Sequence, residues 1–202
     1  MFVVVIKSCQ KYADRRQAQL DTWLPDLKAP YFFVVGDIHP TPHMLDNVFH
    51  FPVSDAFPNI APKLRCGLSL ALDYGADSIF VCDDDTYVRP ERLVPPDGDY
   101  VGWFRHDGGY GYPLPYIQGC AYWLSQRAAI MAVQSGQMVD GVPDDVAVGR
   151  ALYGKVPFIH DPSYEVGPKP ERIPLPDNWV VSAHKALPDA MRDIDKQWRA
   201  YA

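Results

Sequence analysis

The sequence SIFVCDDD at residues 78–85 decides the fold prediction. Its first part is short and mostly apolar, and it follows the turn-like GAD at residues 75–77, so it predicts a buried strand. In an open parallel sheet, ligands gather at the carboxyl ends of strands, and the three aspartates stand at that end. Neighbouring carboxylates repel one another, and a divalent cation balances them because hard cations prefer carboxylate oxygen. We therefore predict a metal site at residues 83–85.

Composition predicts one ordinary globular domain. The chain has 202 residues, of which 48% are apolar and 22% are charged. The net charge of −6 argues against a protein that holds nucleic acid by bulk electrostatics. The apolar run at residues 2–6 is too short to span a membrane and follows no basic segment, so we expect a cytoplasmic protein without a signal peptide. The four cysteines are scattered, which predicts reduced thiols and no cysteine zinc site or disulfide scaffold.

The pattern along the chain alternates strands with helices. Strands are predicted at residues 2–6, 31–35, 48–51, 78–82, 99–103, 116–124, 156–159 and 179–183. Helices are predicted at residues 12–23, 63–74, 126–134, 144–153 and 187–201, with Ser125 as the N-cap of the third. The proline-rich stretch 161–178 is typical of a functional lid or a linker. Together these elements predict an α/β fold with a mainly parallel central sheet.

Six separated motifs resemble those of one enzyme family. In chain order, the first three are IKS at 6–8 with RRQA at 15–18 and Trp23, DAFPNIAPK at 55–63, and DDDTYV at 83–88. The other three are YPLPY at 112–116 with GCAYWLS at 119–125, PDDVAVG at 143–149, and His184 followed by Pro188, Met191 and Trp198. Over nearly its whole length the chain is similar to glycosyltransferase family 31, the group of β-1,3-galactosyltransferases, β-1,3-N-acetylglucosaminyltransferases and Fringe. It departs from that family at Asp144, where the motif has glutamate, and the resemblance leads us to expect a short member that lacks a membrane anchor and stem.

The resemblance implies a fold and an activity. The fold is GT-A, a Rossmann-like nucleotide-sugar-binding domain over residues 1–202, with a nucleotide-binding half at 1–88 and a sugar and acceptor half at 89–202. The activity is metal-dependent, inverting transfer of a hexose or N-acetylhexosamine from a UDP-sugar to an acceptor hydroxyl. The implied metal is Mn²⁺, with Mg²⁺ as a substitute. The acceptor is a glycan or, in a phage setting, a modified nucleobase in DNA, which the acidic net charge does not support. If no anchor is present, as we expect, a bacterial or phage setting is the more natural one.

The resemblance also assigns the chemistry to residues. Asp83 and Asp85 are the implied metal ligands, together with His184. His160 is the rival imidazole because it also follows a short apolar strand. Asp145 is the implied general base. Its position at a helix start lowers its pKa, so burial or neighbouring carboxylates must offset the helix dipole.

Two further sets of residues are implied to bind the substrates. Arginine binds phosphate through parallel hydrogen bonds, aromatic faces suit sugar rings, and glycine lets a sugar approach the backbone. The expected donor-binding residues are Lys7, Arg15, Arg16, Asp55, Asn59, Lys63, Asp83 and Asp84. The expected sugar and acceptor residues are Trp103, Tyr112, Tyr116, Gly119, Cys120 and Asp144.

Two other classes of protein remain open. A metal-dependent nucleotidyltransferase shares the clustered acids, but it is expected to carry a glycine-rich phosphate loop near the first strand, and the sequence has none there. A catalytically silent sugar-nucleotide-binding protein is the other class. The presence of Asp145 together with Asp83 and Asp85 argues against it.

Overall fold

The structure is a computed structural model that describes residues 1–105, 111–164 and 181–201, with only the backbone described at 181–184 and 201. The strands are β1 (Phe2–Lys7), β2 (Tyr31–Gly36), β3 (His43–Leu45), β4 (Val48–Phe51), β5 (Ser78–Asp83), β6 (Thr86–Val88), β7 (Tyr100–Arg105), β8 (Tyr116–Ser125), β9 (Phe158–His160) and β10 (Val181–His184). The helices are α1 (Ala13–Asp21), α2 (Ile60–Asp73), α3 (Gln126–Gln134), α4 (Asp144–Leu152) and α5 (Pro188–Tyr201).

An eight-stranded sheet organises the described residues, in the order β3-β4-β2-β1-β5-β8-β7-β9. Strand β1 pairs in parallel with β2 on one side and with β5 on the other. Strand β8 is antiparallel to both of its neighbours, and β3 is antiparallel to β4, so the remaining strands of the sheet share one direction. A separate antiparallel pair joins β6 to β10. The predicted α/β fold with a mainly parallel sheet is confirmed.

Strand β1 shows why the sheet is covered on both faces. Val3 and Val5 belong to one apolar cluster, which includes Leu64 and Leu68 of α2. Val4 and Ile6 of β1 belong to a second cluster on the opposite face, which includes Met191 and Ile194 of α5. Successive side chains of a strand point to opposite faces, so an unbroken apolar run such as β1 needs helices on both sides.

Several predicted boundaries agree with the structure. Helix α3 begins and ends where the sequence predicts, and the Ser125 hydroxyl accepts a hydrogen bond from the Ala128 N–H at 3.1 Å. Helix α2 begins at Ile60 rather than at Lys63, because Pro62 lies in the first helical turn, where the missing N–H costs nothing. Strands β3 and β6 were not predicted; each has three residues, too few for a periodic pattern.

The end of the chain is partly described. Residues 162–164 form a short 3₁₀ helix, and residues 165–178 of the predicted proline-rich loop lie outside the described residues. The predicted last strand appears as β10, from Val181 onward. In the described part of the chain, the structure contains no helix with the length and apolar character needed to cross a membrane.

Candidate functional site

A cleft of about 800 Å³ opens at the carboxyl ends of β1 and β5. The register of these strands pairs Lys7 with Asp83 at that end. Open α/β sheets bind their ligands at this edge. The predicted site residues that line the cleft are Lys7, Arg15, Asp55, Lys63, Asp83, Asp84, Asp85, Tyr112, Tyr116, Gly119, Cys120, Asp144 and Asp145.

Lys7 connects the two sides of the cleft. Its Nζ lies 2.9 Å from Asp83 Oδ1 and 2.5 Å from Asp144 Oδ2, and it donates to the Gly119 carbonyl at 2.8 Å. Burial by itself lowers the pKa of Lys7, but Asp144 and Asp83 outweigh burial and hold that pKa well above its ordinary value. The charged ammonium therefore joins β1, β5, β8 and the start of α4.

The three consecutive aspartates have different surroundings. Asp84 is buried, accepts from the Ser8 hydroxyl at 2.7 Å, and lies 3.2 Å from Arg15 Nη1. Burial raises the pKa of Asp84 to about 6. Asp83 and Asp85 keep 24% and 15% of their side chains exposed, and the same Arg15 Nη1 donates to Asp85 Oδ2 at 2.9 Å. The outer two carboxylates thus face the cleft, while the middle one anchors the turn.

The backbone of His184 approaches this acidic turn. Its strand β10 pairs with β6, and the register places His184 opposite Thr86, directly after Asp85. The Ala186 N–H donates to the Asp85 carbonyl at 2.9 Å. The side chain of His184 lies outside the described residues. The rival His160 lies elsewhere: its Nδ1 accepts from the Phe104 N–H at 3.2 Å, and its ring does not line the cleft.

Asp145 lies in the first turn of α4, on the wall facing β8. Its Oδ2 accepts from the Gly119 N–H at 3.1 Å and its Oδ1 from the Val146 N–H at 2.8 Å. Only 9% of the residue is exposed. Burial, followed by the charge of Asp144, raises the pKa of Asp145 to about 7. Burial and a neighbouring carboxylate are the two effects that we expected to offset the lowering of this pKa by the helix dipole.

Asp55 and Lys63 brace the floor of the cleft. Asp55 Oδ1 accepts from the Gly36 N–H at 2.8 Å and from Lys63 Nζ at 2.9 Å. Its other oxygen accepts from the Gln10 N–H, and Lys63 Nζ also donates to the Ser8 carbonyl. This pair therefore fixes the turn that follows β1 against the end of β2.

Three of the residues predicted to bind the substrates do not line the cleft. Arg16 donates to the Ser8 hydroxyl and the Cys9 carbonyl, so it supports the turn beneath the cleft. Asn59 occupies the N-cap position of α2 without a side-chain capping bond. Trp103 packs edge-on against the ring of His160, with the centroids 4.7 Å apart.

The cleft also contains cations that the sequence analysis missed. These are Lys11, Arg105 and Lys185. Lys11 precedes Arg15 by one helical turn, and both cations lie over the Tyr12 ring, at 4.7 and 3.8 Å from its centroid. Lys185 follows His184 directly and has a φ of 58°, which is uncommon for a residue with a side chain. Lys11 could have been found from its spacing to Arg15, and Lys185 from its position directly after His184. Together with Arg15, these cations suit an anionic ligand.

The sheet, its covering helices and the cleft at its carboxyl edge define the GT-A fold. The chain is similar in fold to the galactosyltransferase LgtC, solved in complex with donor and acceptor sugar analogs, with 13% identity, a TM-score of 0.57, and coverage of 99% of this chain and 100% of that one. It is also similar to a glycosyltransferase involved in glycosylation of the major capsid of PBCV-1, with 11% identity, a TM-score of 0.52, and coverage of 80% and 82%. No family model and no curated protein matches the chain, so membership of glycosyltransferase family 31 stays a prediction.

Proposed function

We propose that this protein is a metal-dependent glycosyltransferase that moves a hexose or N-acetylhexosamine from a UDP-sugar to an acceptor hydroxyl, with a glycan as the favoured acceptor. One observation carries the proposal: Asp83, Asp85 and the buried Asp145 line the same cleft, and Lys7 lies between Asp83 and the start of α4. The likeness in fold to two solved glycosyltransferases supports it.

The acidic turn fits a hard divalent cation. Its outer carboxylates reach the cleft, and the backbone of His184 lies beside them. Asp83, Asp85 and His184 would hold Mn²⁺, with Mg²⁺ as a substitute, and the cation would supply Lewis-acid stabilisation to the diphosphate leaving group.

The protein's own cations complement the same diphosphate. Arg15 is held over the Tyr12 ring and against Asp84 and Asp85, so its guanidinium is fixed before a ligand arrives. Lys11 and Lys185 line the cleft with it. A fixed cation loses less entropy when it binds phosphate than a free one does.

Asp145 is the proposed general base. The acceptor hydroxyl gives its proton to Asp145, and the acceptor oxygen forms a bond to the anomeric carbon of the donor sugar. The bond between that carbon and the diphosphate oxygen breaks, and UDP leaves. A single displacement of this kind inverts the anomeric centre. Both oxygens of Asp145 are oriented by backbone N–H groups, and its raised pKa lies near neutral pH, where a base is most effective.

The test measures UDP release from a panel of UDP-hexoses and UDP-N-acetylhexosamines with Mn²⁺ and oligosaccharide acceptors. The anomeric configuration of the product is read by NMR, and inversion is expected. Asp85→Ala should lower both UDP binding and turnover by at least about 100-fold. Asp140→Ala removes an exposed aspartate as the matched control and should change neither. Absence of UDP binding in calorimetry with Mn²⁺ overturns the proposal, and release of a sugar 1-phosphate in place of UDP indicates nucleotidyl transfer.

A further inference from the structure

Three side chains with metal-binding atoms converge outside the cleft, where β2 and the β3–β4 hairpin end. They are Asp37, His43 and His50. His50 Nδ1 lies 3.2 Å from Asp37 Oδ2, and His43 Nε2 lies 3.9 Å from the same oxygen. One ligand atom from each residue lies within 4.8 Å of the others. None of the three residues lines the cleft described above.

The other hydrogen bonds of these groups leave the converging atoms available. His43 Nδ1 lies 3.2 Å from the Thr41 carbonyl, a contact that fixes the proton on Nδ1 and leaves a lone pair on Nε2. Asp37 Oδ1 accepts from the His39 N–H at 3.1 Å, so Oδ2 is the oxygen that faces both imidazoles. His50 Nδ1 is shielded from solvent, and within the described part of the chain its 3.2 Å approach to Asp37 Oδ2 lacks the geometry of a hydrogen bond. Histidine ligands of metals are commonly oriented by a carbonyl in this way.

The backbone holds the two histidines in register. His43 and His50 are directly opposite each other in the antiparallel β3–β4 pair, and their rings stack with centroids 4.6 Å apart. The hairpin turn has left-handed backbone at Asp46 and Asn47, as a tight two-residue turn requires. The Asp37 N–H donates to the Phe51 carbonyl at 2.7 Å, which fixes the third residue next to the hairpin.

We propose that Asp37, His43 and His50 form a zinc site that clips the β3–β4 hairpin to the end of β2. Two imidazole nitrogens and one carboxylate oxygen are a common zinc set, which leaves a fourth tetrahedral position for water. Bonds of about 2.0–2.1 Å to a tetrahedral ion separate the ligand atoms by about 3.4 Å. The distances of 3.2 and 3.9 Å from Asp37 Oδ2 bracket that value. The two imidazole planes are only 5° apart, so at least one ring must turn about its side-chain torsions before both lone pairs point at one ion.

The site borders the floor of the cleft without belonging to it. Asp37 directly follows Gly36, whose N–H is held by Asp55 at 2.8 Å, and Asp55 lines the cleft. A bound ion would therefore stiffen the sheet edge on which this part of the floor rests. The zinc proposal uses no cleft ligand and does not depend on the proposed glycosyl transfer.

The test uses the full chain stripped with a chelator, in an Asp85→Ala background that disables the acidic turn as a competing metal site. Zinc affinity is measured by competition with a chromophoric chelator. The Asp85→Ala protein is compared with three double variants, in which it also carries His43→Ala, His50→Ala or His39→Ala. His39 is the matched control because it lies in the same loop, with its ring 5.2 Å from that of His43, but outside the three-residue set. Co²⁺ absorption provides a second readout, since a tetrahedral site gives strong visible bands.

One equivalent of Zn²⁺ is expected, with a rise in the melting temperature by mass action. His43→Ala and His50→Ala should each weaken binding by at least about 100-fold and abolish the Co²⁺ bands, and His39→Ala should change affinity by less than about threefold. Absence of zinc binding, or an equal loss in all three variants, overturns the proposal. UDP release by the wild-type protein reports separately on the cleft, so failure of one proposal is distinguishable from failure of the other.

Discussion

Lys7 Nζ lies 2.5 Å from Asp144 Oδ2, although 137 positions separate the two residues in the chain. Both side chains are buried, with 3% and 8% of their areas exposed. The pair ties the first strand to the first turn of α4 and so places Asp145, the next residue, against Gly119. The same ammonium contacts Asp83, so one cation sets the position of the acidic turn relative to the proposed base.

Replacement of Lys7 by methionine should destabilise the protein by about 3–5 kcal/mol, because two carboxylates lose their counter-charge inside the protein. Urea unfolding measures the change. Lys28→Met removes an exposed lysine and should cost less than about 0.5 kcal/mol. The double variant Lys7→Met/Asp144→Leu should recover part of the loss. A cost below about 1 kcal/mol for Lys7→Met would show that the pair does not organise the site.

Asp145→Asn should reduce turnover by about 10²–10⁴-fold and leave UDP binding unchanged, because the amide cannot accept the hydroxyl proton. In the wild-type protein, turnover should fall as the pH drops below about 7, since the pKa of Asp145 is raised to about 7 and the protonated acid is inactive. UDP release measured between roughly pH 5.5 and 9 tests both points. Full turnover in a folded Asp145→Asn protein contradicts the assignment.

The same carboxyl makes the stability of the protein depend on pH. The pKa of Asp145 is raised from its ordinary value of 3.8 to about 7, so between these values the folded state binds more protons than the unfolded state. Stability should therefore fall as the pH rises through this window. From pH 5 to 8, the wild-type protein should lose on the order of 2 kcal/mol relative to Asp145→Asn. Parallel urea curves of the two proteins at both pH values measure the difference, and identical pH dependence contradicts it.

Elements that depend on local interactions could be predicted from the sequence, whereas contacts between residues far apart in the chain could not. Strand β1 and helix α3 were predictable because apolar runs and a capping serine are local signals. Strand β3 was missed because its three residues are exposed and its turn depends on the left-handed backbone at Asp46 and Asn47. The resemblance placed Lys7 and Asp144 in one site, but no local pattern shows that they touch. The zinc set was missed for the same reason: Asp37 joins it only through the fold.

Gly119 should tolerate no side chain without cost to activity. A Cβ at this position would lie 3.2 Å from both Cβ and Oδ2 of Asp145, so the carboxylate must shift by a few tenths of an ångström. Gly119→Ala should lower turnover by about 10²-fold, the effect expected of a small misplacement of a reacting group. UDP binding with Mn²⁺ should be unchanged, since Asp83 and Asp85 are untouched. Kinetics and calorimetry on one preparation separate the two effects, and unchanged turnover contradicts the predicted role of this contact.

Tyr164 anchors the chain just before the part that is not described. Its hydroxyl accepts from Trp123 Nε1 at 2.8 Å, and both residues are buried. Tyr164→Phe leaves the indole N–H without this partner and should cost about 1–3 kcal/mol. For a chain of this size, each 1 kcal/mol lowers the melting temperature by about 2–4 °C, which calorimetry resolves. Tyr153→Phe removes the hydroxyl of an exposed tyrosine and should leave the melting temperature unchanged. If Tyr164→Phe has the same melting temperature as the wild-type protein, the indole N–H has found another partner and the bond from Trp123 to Tyr164 does not stabilise this part of the chain.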